Sequence, residues 1–114
     1  TMAGASRIVA LTARKIGGGI SSIKINKDQL INYAGTEPGT IVNFSEDIDI
    51  NKYNCVVIGP GLGKNYEFKK ILDIIKICKK TLILDADALS IFENRKTKLY
   101  DILKKRSFNI RFNI

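Results

Sequence analysis

The chain has 114 residues, of which 45% are apolar and 26% are charged, so its composition is that of one globular domain and not of a disordered segment. It carries a formal net charge of +8, two cysteines and no histidine. These counts exclude a histidine base or metal ligand, a disulfide scaffold and a four-cysteine zinc site. No apolar run reaches the roughly 20 residues of a membrane span and no signal peptide opens the sequence, so a cytoplasmic location is expected.

The first half of the sequence predicts a helix followed by two short strands. Small and apolar side chains recur near helical spacing, and three consecutive glycines at 17–19 end that pattern. Gly35 to Gly39 has the composition of a loop. The predicted elements are a helix at 4–16, strands at 20–25 and 40–44, and a helical turn at 28–33 between the strands.

The second half predicts a strand–helix–strand unit. Residues 55–58 and 81–84 are continuous apolar runs, which are typical of strands covered on both faces of a parallel sheet. Between them, residues 66–79 place apolar side chains on one stripe and lysines opposite. We therefore predict an α/β fold with flanking helices, in which the four strands form one parallel sheet. The remaining predictions are helices at 86–93 and 97–105 and a strand-like alternation at 107–114.

The positive charge is concentrated in the second half of the chain. Residues 1–54 carry a net charge of +1, whereas residues 55–114 carry +7. Such asymmetry can mark a nucleic-acid surface, but these lysines are scattered along helical faces without interleaved aromatic residues. A bias towards Ile, Lys and Asn, which share A/T-rich codons, explains the same excess. We therefore expect no nucleic-acid partner.

A glycine-rich turn follows the first apolar run, at Gly59-Pro60-Gly61-Leu62-Gly63, here called the glycine loop (residues 59–63). A turn between a buried strand and a helix exposes backbone N–H groups that can bind an anion. The loop is neither a Walker loop, because Lys64 is followed by Asn65, nor a dinucleotide fingerprint, because its third glycine comes one residue early. The alternative is a tight turn that uses glycine for backbone freedom alone.

Two carboxylates, Asp85 and Asp87, follow the second apolar run. Ligands bind at this end of the strands in open α/β sheets, where paired carboxylates can hold Mg²⁺ or contact hydroxyl groups. Alternatively, one of them caps the following helix. A haloacid-dehalogenase-type phosphatase is disfavoured because Leu89 stands where its nucleophile motif has Thr or Val. The two cysteines, Cys55 and Cys78, lie at apolar positions and are expected to be buried.

Three segments occur together in an order that is typical of one enzyme family. The first is the predicted helix, which opens with Gly4-Ala5-Ser6 and ends at Gly17-Gly18-Gly19. The second is Val-Ile-Gly-Pro-Gly-Leu-Gly (57–63), and the third is Leu-Asp-Ala-Asp-Ala-Leu (84–89). Over residues 3–93 this resembles the ADP/ATP-dependent NAD(P)H-hydrate dehydratase family, a carbohydrate-kinase-like domain with a ribokinase-like fold. The resemblance implies a repair reaction on hydrated NADH or NADPH. The nucleotide phosphorylates the ring hydroxyl, and the phosphate then leaves.

The resemblance also implies a substrate pocket, with ADP or ATP as co-substrate and Mg²⁺. By this resemblance, Ala5 and the glycine loop are expected to line the pocket, and the two carboxylates to lie at its floor. Glycine suits that role, because backbone can approach a bulky dinucleotide where no Cβ intervenes. The implied partner is the hydrated dinucleotide, with no membrane involved. The implied substrate-binding residues are Ala5, Gly59, Gly61, Gly63, Asp85 and Asp87.

The sequence departs from the family pattern in several places. Ser90 stands where the family has Asn, and Gly18 where it has Ala. The family's histidine segment, Lys-Gly nucleotide segment and Gly-x-Gly-Asp motif with the catalytic aspartate are missing. We therefore expect an incomplete domain at 1–114, an N-terminal-half fragment that has no catalytic residue, is inactive alone, and pairs with itself or with a complementing C-terminal half. The alternatives are an inactive remnant of a split or decaying gene and a fragment of a ribokinase-fold small-molecule kinase.

Overall fold

The computed structural model describes residues 2–63, 65–106 and 110–112. It divides the chain into a first unit (Thr1–Ile48) and a second unit (Asp49–Ile114). In chain order the elements are helix α1 (Ala3–Lys15), strand β1 (Ser21–Lys24), a first 3₁₀ helix (Lys27–Tyr33), strand β2 (Thr40–Asn43), a second 3₁₀ helix (Ile50–Lys52), strand β3 (Cys55–Ile58), helix α2 (Phe68–Ile77), strand β4 (Thr81–Leu84), helices α3 (Asp87–Ser90) and α4 (Lys96–Lys104), and strand β5 (Ile110–Phe112).

The first unit packs α1 against a parallel pair of strands, β1 and β2. The register pairs Ser21 with Thr40 and Lys24 with Asn43. Helix α1 ends where predicted, since the N–H of Gly18 donates to the carbonyl of Ala13 at 2.8 Å. Four buried residues form the core of this unit: Ala10, Ile23, Ile25 and Tyr33.

The second unit is a three-stranded parallel sheet in the order β3-β4-β5, with an amphipathic helix, α2, that buries its apolar stripe. Ile71 and Ile75 of α2 are completely buried, as are Leu82 and Leu84 of β4. The α/β class with parallel strands and flanking helices is therefore confirmed. Of the predicted strand at 107–114, residues 110–112 form β5, and residues 107–109 and 113–114 lie outside the described residues.

The prediction of one continuous sheet is wrong. Among the described residues, β1 and β2 pair with each other, and β3, β4 and β5 form a separate sheet. Apolar runs identify strands, because a strand buries side chains, but they do not specify which strands share backbone hydrogen bonds. The strands themselves lie within the predicted ranges, and β3 and β4 are the parallel neighbours that the strand–helix–strand pattern predicts.

The prediction that β3 is covered on both faces is also wrong. Cys55 is exposed and Val57 is 40% exposed, whereas Ile58 at the end of the strand is buried. Strand β3 is an edge of its sheet, and an apolar run does not reveal whether a strand is central or at the edge. Burial is confirmed for Cys78, which follows α2 and is 1% exposed, and not for Cys55. Within the described ranges, no helix combines the length and apolar character of a membrane span.

Candidate functional site

The glycine loop and the two predicted carboxylates meet at the carboxyl ends of β3 and β4 in the second unit. Strands β3 and β4 run parallel with Ile58 paired to Leu84, so the segments that follow them leave the sheet side by side. The backbone N–H of Asp85 donates to the carbonyl of Ile58 at 3.0 Å, which extends the ladder by one step. Two of the three segments that the sequence singled out are therefore neighbours in space.

Gly59 lies where these two segments come closest. It is buried and has a φ of 127°, a conformation that residues with a side chain rarely adopt. A Cβ at this position would overlap the carbonyl oxygen of Asp85 and lie 3.1 Å from the Cβ of Ala88. Gly59 is thus required because two backbones approach closely here and the turn needs its positive φ. This agrees with the alternative from the sequence, a tight turn that uses glycine for backbone freedom.

The far end of the glycine loop is held by a carboxylate. The backbone N–H of Gly63 donates to Oδ2 of Asp87 at 2.9 Å, while the N–H of Leu62 donates to the carbonyl of Gly59 at 3.0 Å within the loop. Asp87 is half-buried and begins α3, 24 positions along the chain from Gly63. This contact directly joins two predicted site residues.

The other carboxylate has a local partner. Oδ1 of Asp85 accepts the backbone N–H of Ala86 at 2.8 Å. No side chain caps α3, whose N-cap residue is Ala86, so the helix-capping alternative for these carboxylates is wrong. Their oxygens bind the amides of Ala86 and Gly63 instead.

Ala86, between the two carboxylates, has an unusual backbone conformation that sequence reasoning missed. Its φ is 46° and its ψ is −120°, and it is the one non-glycine residue with positive φ in the described part of the chain. Such conformations cost about 1–3 kcal/mol and cluster at functional sites. Its carbonyl accepts the N–H groups of Leu89 and Ser90, which fixes the first turn of α3. The residue type gives no signal of this, since alanine has no preference for positive φ.

Two carboxylates are the possible metal ligands at this site. No group of three or more His, Cys, Asp or Glu side chains occurs together within residues 2–63, 65–106 and 110–112. Asp85 and Asp87 supply two carboxylates, and one oxygen of each already accepts a backbone N–H. Proteins commonly bind Mg²⁺ through one or two carboxylates together with substrate phosphates, so the Mg²⁺ that the resemblance implied stays a prediction.

Ala5, the remaining predicted site residue, lies in the first turn of α1 in the first unit and is half-buried. Its neighbour Ser6 donates to the carbonyl of Ala3 at 3.1 Å and shares a hydrogen bond of 2.8 Å with the hydroxyl of Tyr33. These contacts fix the start of the helix. The role of Ala5 in a substrate pocket stays a prediction.

A hollow of about 300 Å³ lies elsewhere in the second unit, between α3 and α4. Its lining is mainly apolar and includes Leu89, Phe92, Leu99, Tyr100 and Leu103. None of the predicted site residues contributes to it. The candidate site therefore rests on the contacts of the glycine loop and not on the depth of a cavity.

Comparisons with known proteins match the chain to the family whose sequence pattern it resembles. A carbohydrate-kinase family model described as NAD(P)H-hydrate dehydratase matches residues 1–107. The chain is similar to the bifunctional NAD(P)H-hydrate repair enzyme Nnr of Coxiella burnetii, with 28% identity over 105 residues, which cover 88% of this chain and 22% of the relative. The enzyme of the same name from Gloeobacter violaceus is 31% identical over 99 residues, which cover 77% of this chain and 19% of the relative. The chain thus spans about a fifth of the length of these relatives.

Proposed function

The chain belongs to the NAD(P)H-hydrate dehydratase family, and we propose that it supplies part of the substrate pocket of a nucleotide-dependent enzyme that restores hydrated NADH or NADPH. The observation that carries the proposal is the 2.9 Å hydrogen bond from Gly63 to Asp87. It joins the two segments that are most typical of the family, at the carboxyl end of parallel strands, where α/β folds bind ligands. The relatives are named as NAD(P)H-hydrate repair enzymes, which supports the same substrate class.

The proposed chemistry is a dehydration in two steps. ADP or ATP transfers a phosphoryl group to the hydroxyl of the hydrated nicotinamide ring, and cleavage of the carbon–oxygen bond then releases phosphate while a neighbouring carbon loses a proton. In this proposal the glycine loop lets the dinucleotide approach the backbone, and the carboxylates of Asp85 and Asp87 shape the floor of the pocket. We assign neither the nucleotide nor Mg²⁺ to particular residues of this chain, since the family's nucleotide segment is missing and the described residues gather no group of three or more possible ligands.

We further propose that residues 1–114 bind the hydrate without converting it. The sequence contains no histidine and no Gly-x-Gly-Asp motif, so it lacks the segment that carries the family's catalytic aspartate. Elimination needs a positioned base and a bound phosphate chain, because orientation and proton transfer supply much of the rate. A second polypeptide with the remaining family segments is the partner that we propose for activity.

Two measurements on the full chain test the proposal. Calorimetric titration with hydrated NADPH is expected to give saturable binding that Asp85→Ala weakens. Asp101→Ala, which removes an exposed carboxylate of α4, serves as the charge control and is expected to leave binding unchanged. No binding at about 1 mM hydrate, equivalent to less than about 4 kcal/mol of binding free energy, would contradict the proposed substrate.

The absorbance of the reduced nicotinamide ring reports turnover in the same samples. With ATP or ADP and Mg²⁺ present, we expect no return of this absorbance for the chain alone. Nucleotide-dependent turnover that is lost in Asp87→Ala would show that the chain carries its own catalytic group, and the proposal of an inactive fragment would then be wrong.

A further inference from the structure

We infer that Asp87 is a positioning residue: its carboxylate holds the backbone N–H of Gly63 and so fixes the far end of the glycine loop, which leaves Asp85 as the carboxylate that contacts the substrate. The inference rests on the proposed function for the identity of the pocket. It goes beyond that proposal because it gives the two carboxylates different roles. The family pattern, in which the two aspartates are one residue apart, does not distinguish them.

The two ends of the glycine loop are anchored in different ways. At the near end, Gly59 is buried against the backbone of Asp85, and its carbonyl accepts the N–H of Leu62, so packing and a backbone hydrogen bond fix its place. At the far end, Gly63 is half-buried, has a φ of 88°, and precedes α2, which starts at Phe68 without a side-chain cap. Among the described residues, Asp87 is the only side chain that hydrogen-bonds to the backbone of the loop. The hydrogen bond of Asp87 therefore fixes the far end of the loop, next to Leu62, which packs against the apolar cluster.

The contact needs an acceptor and not a charge. An N–H group donates to a carboxylate oxygen or to the amide oxygen of asparagine in the same place, although the bond to a charged acceptor is the stronger one. Asparagine at position 87 should hence retain the loop, whereas alanine should release it. A carboxylate that acts on a ligand or metal through its charge would fail in both variants.

Each carboxylate uses one oxygen, but the hydrogen bond of Asp85 is local and holds no distant segment, so we assign the substrate contact to Asp85. Its Oδ1 accepts the N–H of the next residue, Ala86, and its Oδ2 has no hydrogen-bond partner among the described residues. The positive φ of Ala86 turns the backbone sharply between the two aspartates, so these near neighbours have separate partners. Asp85 is half-buried at the end of β4, where a hydroxyl group of a bound dinucleotide could donate to the remaining oxygen.

The experiment compares four variants of the full chain with the wild type: Asp87→Asn, Asp87→Ala, Asp85→Asn and the control Asp101→Asn. Amide hydrogen exchange followed by NMR reports the Gly63 N–H directly. We expect exchange at Gly63 to be about tenfold faster in Asp87→Ala, within about threefold of the wild type in Asp87→Asn, and unchanged in Asp85→Asn and the control.

Binding of hydrated NADPH is measured on the same samples by calorimetry. A hydrogen bond in such a place changes affinity by about fivefold, so Asp87→Ala and Asp85→Asn should each weaken binding by about that factor. Asp87→Asn should bind within about threefold of the wild type. This rescue by the conservative variant at position 87, and not at position 85, is the signature of the two roles.

Several outcomes would overturn the inference. One is unchanged exchange at Gly63 in Asp87→Ala; another is an Asp87→Asn variant that binds as weakly as Asp87→Ala. If Asp87→Ala does not fold, Asp87→Asn decides alone: retained protection at Gly63 together with retained binding supports the inference, and loss of either overturns it. If the wild type does not bind the hydrate while Gly63 shows the expected exchange pattern, the positioning role stands and the proposed function fails.

Discussion

The two units of this chain are stabilised by different kinds of contact. Among the described residues, eight buried residues of the second unit form one apolar cluster, which includes side chains of both α2 and β4, whereas four form the cluster of the first unit. In the first unit, side chains of α1 instead reach the loop before β2: Arg7 donates to the carbonyl of Gly35 and pairs with Glu37 at 3.5 Å, and Arg14 donates to the carbonyl of Pro38 at 2.7 Å. The second unit also has long-range polar contacts, such as that of Arg106 with the carbonyl of Lys80 at 2.9 Å, but its apolar cluster is larger, so we expect polar contacts to carry a larger share of the first unit's stability.

This difference affects which unit can hold the residues of a ligand site in fixed positions. Apolar interiors are packed as densely as crystals, so a turn that leaves a buried strand is held in one position. The glycine loop and the two aspartates leave β3 and β4, whose ends at Ile58 and Leu84 are buried. The unit with the larger apolar cluster therefore contains the site whose geometry is defined by close backbone approach.

The largest effect is expected for Gly59→Ala. The new Cβ would overlap the carbonyl oxygen of Asp85 and would require alanine to adopt a φ of 127°. We expect a loss of more than about 4 kcal/mol, enough to unfold the second unit, since strain and overlap with backbone have no flexible partner that can yield. Circular dichroism and amide hydrogen exchange measure the loss in each unit.

Gly4→Ala in α1 is the matched control in the first unit. A Cβ at Gly4 would have nothing within 4 Å, and alanine favours the helix. We expect a change below about 0.5 kcal/mol, in the stabilising direction. A Gly59→Ala variant with the stability of the wild type would refute the close approach of the two backbones.

The second-largest loss of stability is expected for Ile75→Ala in α2. Ile75 is completely buried, so the substitution loses about 3–4 kcal/mol through lost burial and the remaining cavity. Ile23→Ala in β1, which removes a buried side chain from the smaller cluster, should lose only about 2 kcal/mol because its surroundings can collapse more easily. Ile77→Ala, at a position that is 55% exposed, is the control and should change stability by less than about 1 kcal/mol. Equal losses for Ile75 and Ile23, measured by urea unfolding, would remove the contrast between the units.

The local elements of both units could be predicted from the sequence, because their signals are local. Continuous apolar runs predicted β3 and β4, and three glycines predicted the end of α1. The pairing of the strands into two sheets and the exposure of Cys55 could not be predicted, since both depend on which strands become neighbours. Sequence patterns of this kind describe a segment and not its partners.

The segments that form the candidate site could be recognised from the sequence, whereas their contacts and backbone conformation could not. The glycine loop and the aspartates were recognisable because their order along the chain resembles a known family. The contact between Gly63 and Asp87 joins residues 24 positions apart, and no property of either residue indicates it. The positive φ of Ala86 was equally hidden, because surrounding contacts impose it against the preference of alanine.

A third, smaller effect is expected for Arg7→Met in α1, which keeps much of the aliphatic length and removes the guanidinium. The variant leaves the carbonyl of Gly35 without its donor, and we expect a loss of about 1–2 kcal/mol confined to the first unit. The ion pair with Glu37 should contribute little to this loss, since both side chains are partly exposed. Hydrogen exchange in β1 and β2 measures the effect.

Lys15→Met, at the exposed end of α1, is the control for loss of a positive charge and should cost less than about 0.5 kcal/mol. Added salt separates the two contributions of Arg7, because it screens the ion pair and leaves the carbonyl bond. If Arg7→Met loses no more stability than Lys15→Met, polar contacts do not hold the first unit together, and the comparison of the two units fails.

The smallest change in stability is expected when alanine is replaced by glycine at two positions, one in each unit. Ala86→Gly is expected to stabilise the second unit by about 1 kcal/mol, because glycine adopts a φ of 46° without the strain that alanine bears. Ala13→Gly, within α1, is expected to cost the first unit about 1 kcal/mol, since glycine lowers helix stability. Urea unfolding of the two variants, side by side with the wild type, measures both changes.

The opposite signs are what make this pair informative. Glycine raises the entropy of the unfolded chain equally at both positions, so a stabilising result at position 86 must come from relief of strain in the folded state. A destabilising result at both positions would mean that Ala86 bears no strain, and the turn between Asp85 and Asp87 would then be an ordinary start to α3. A higher free energy of unfolding for Ala86→Gly would show that packing in the second unit holds a strained turn beside its glycine loop.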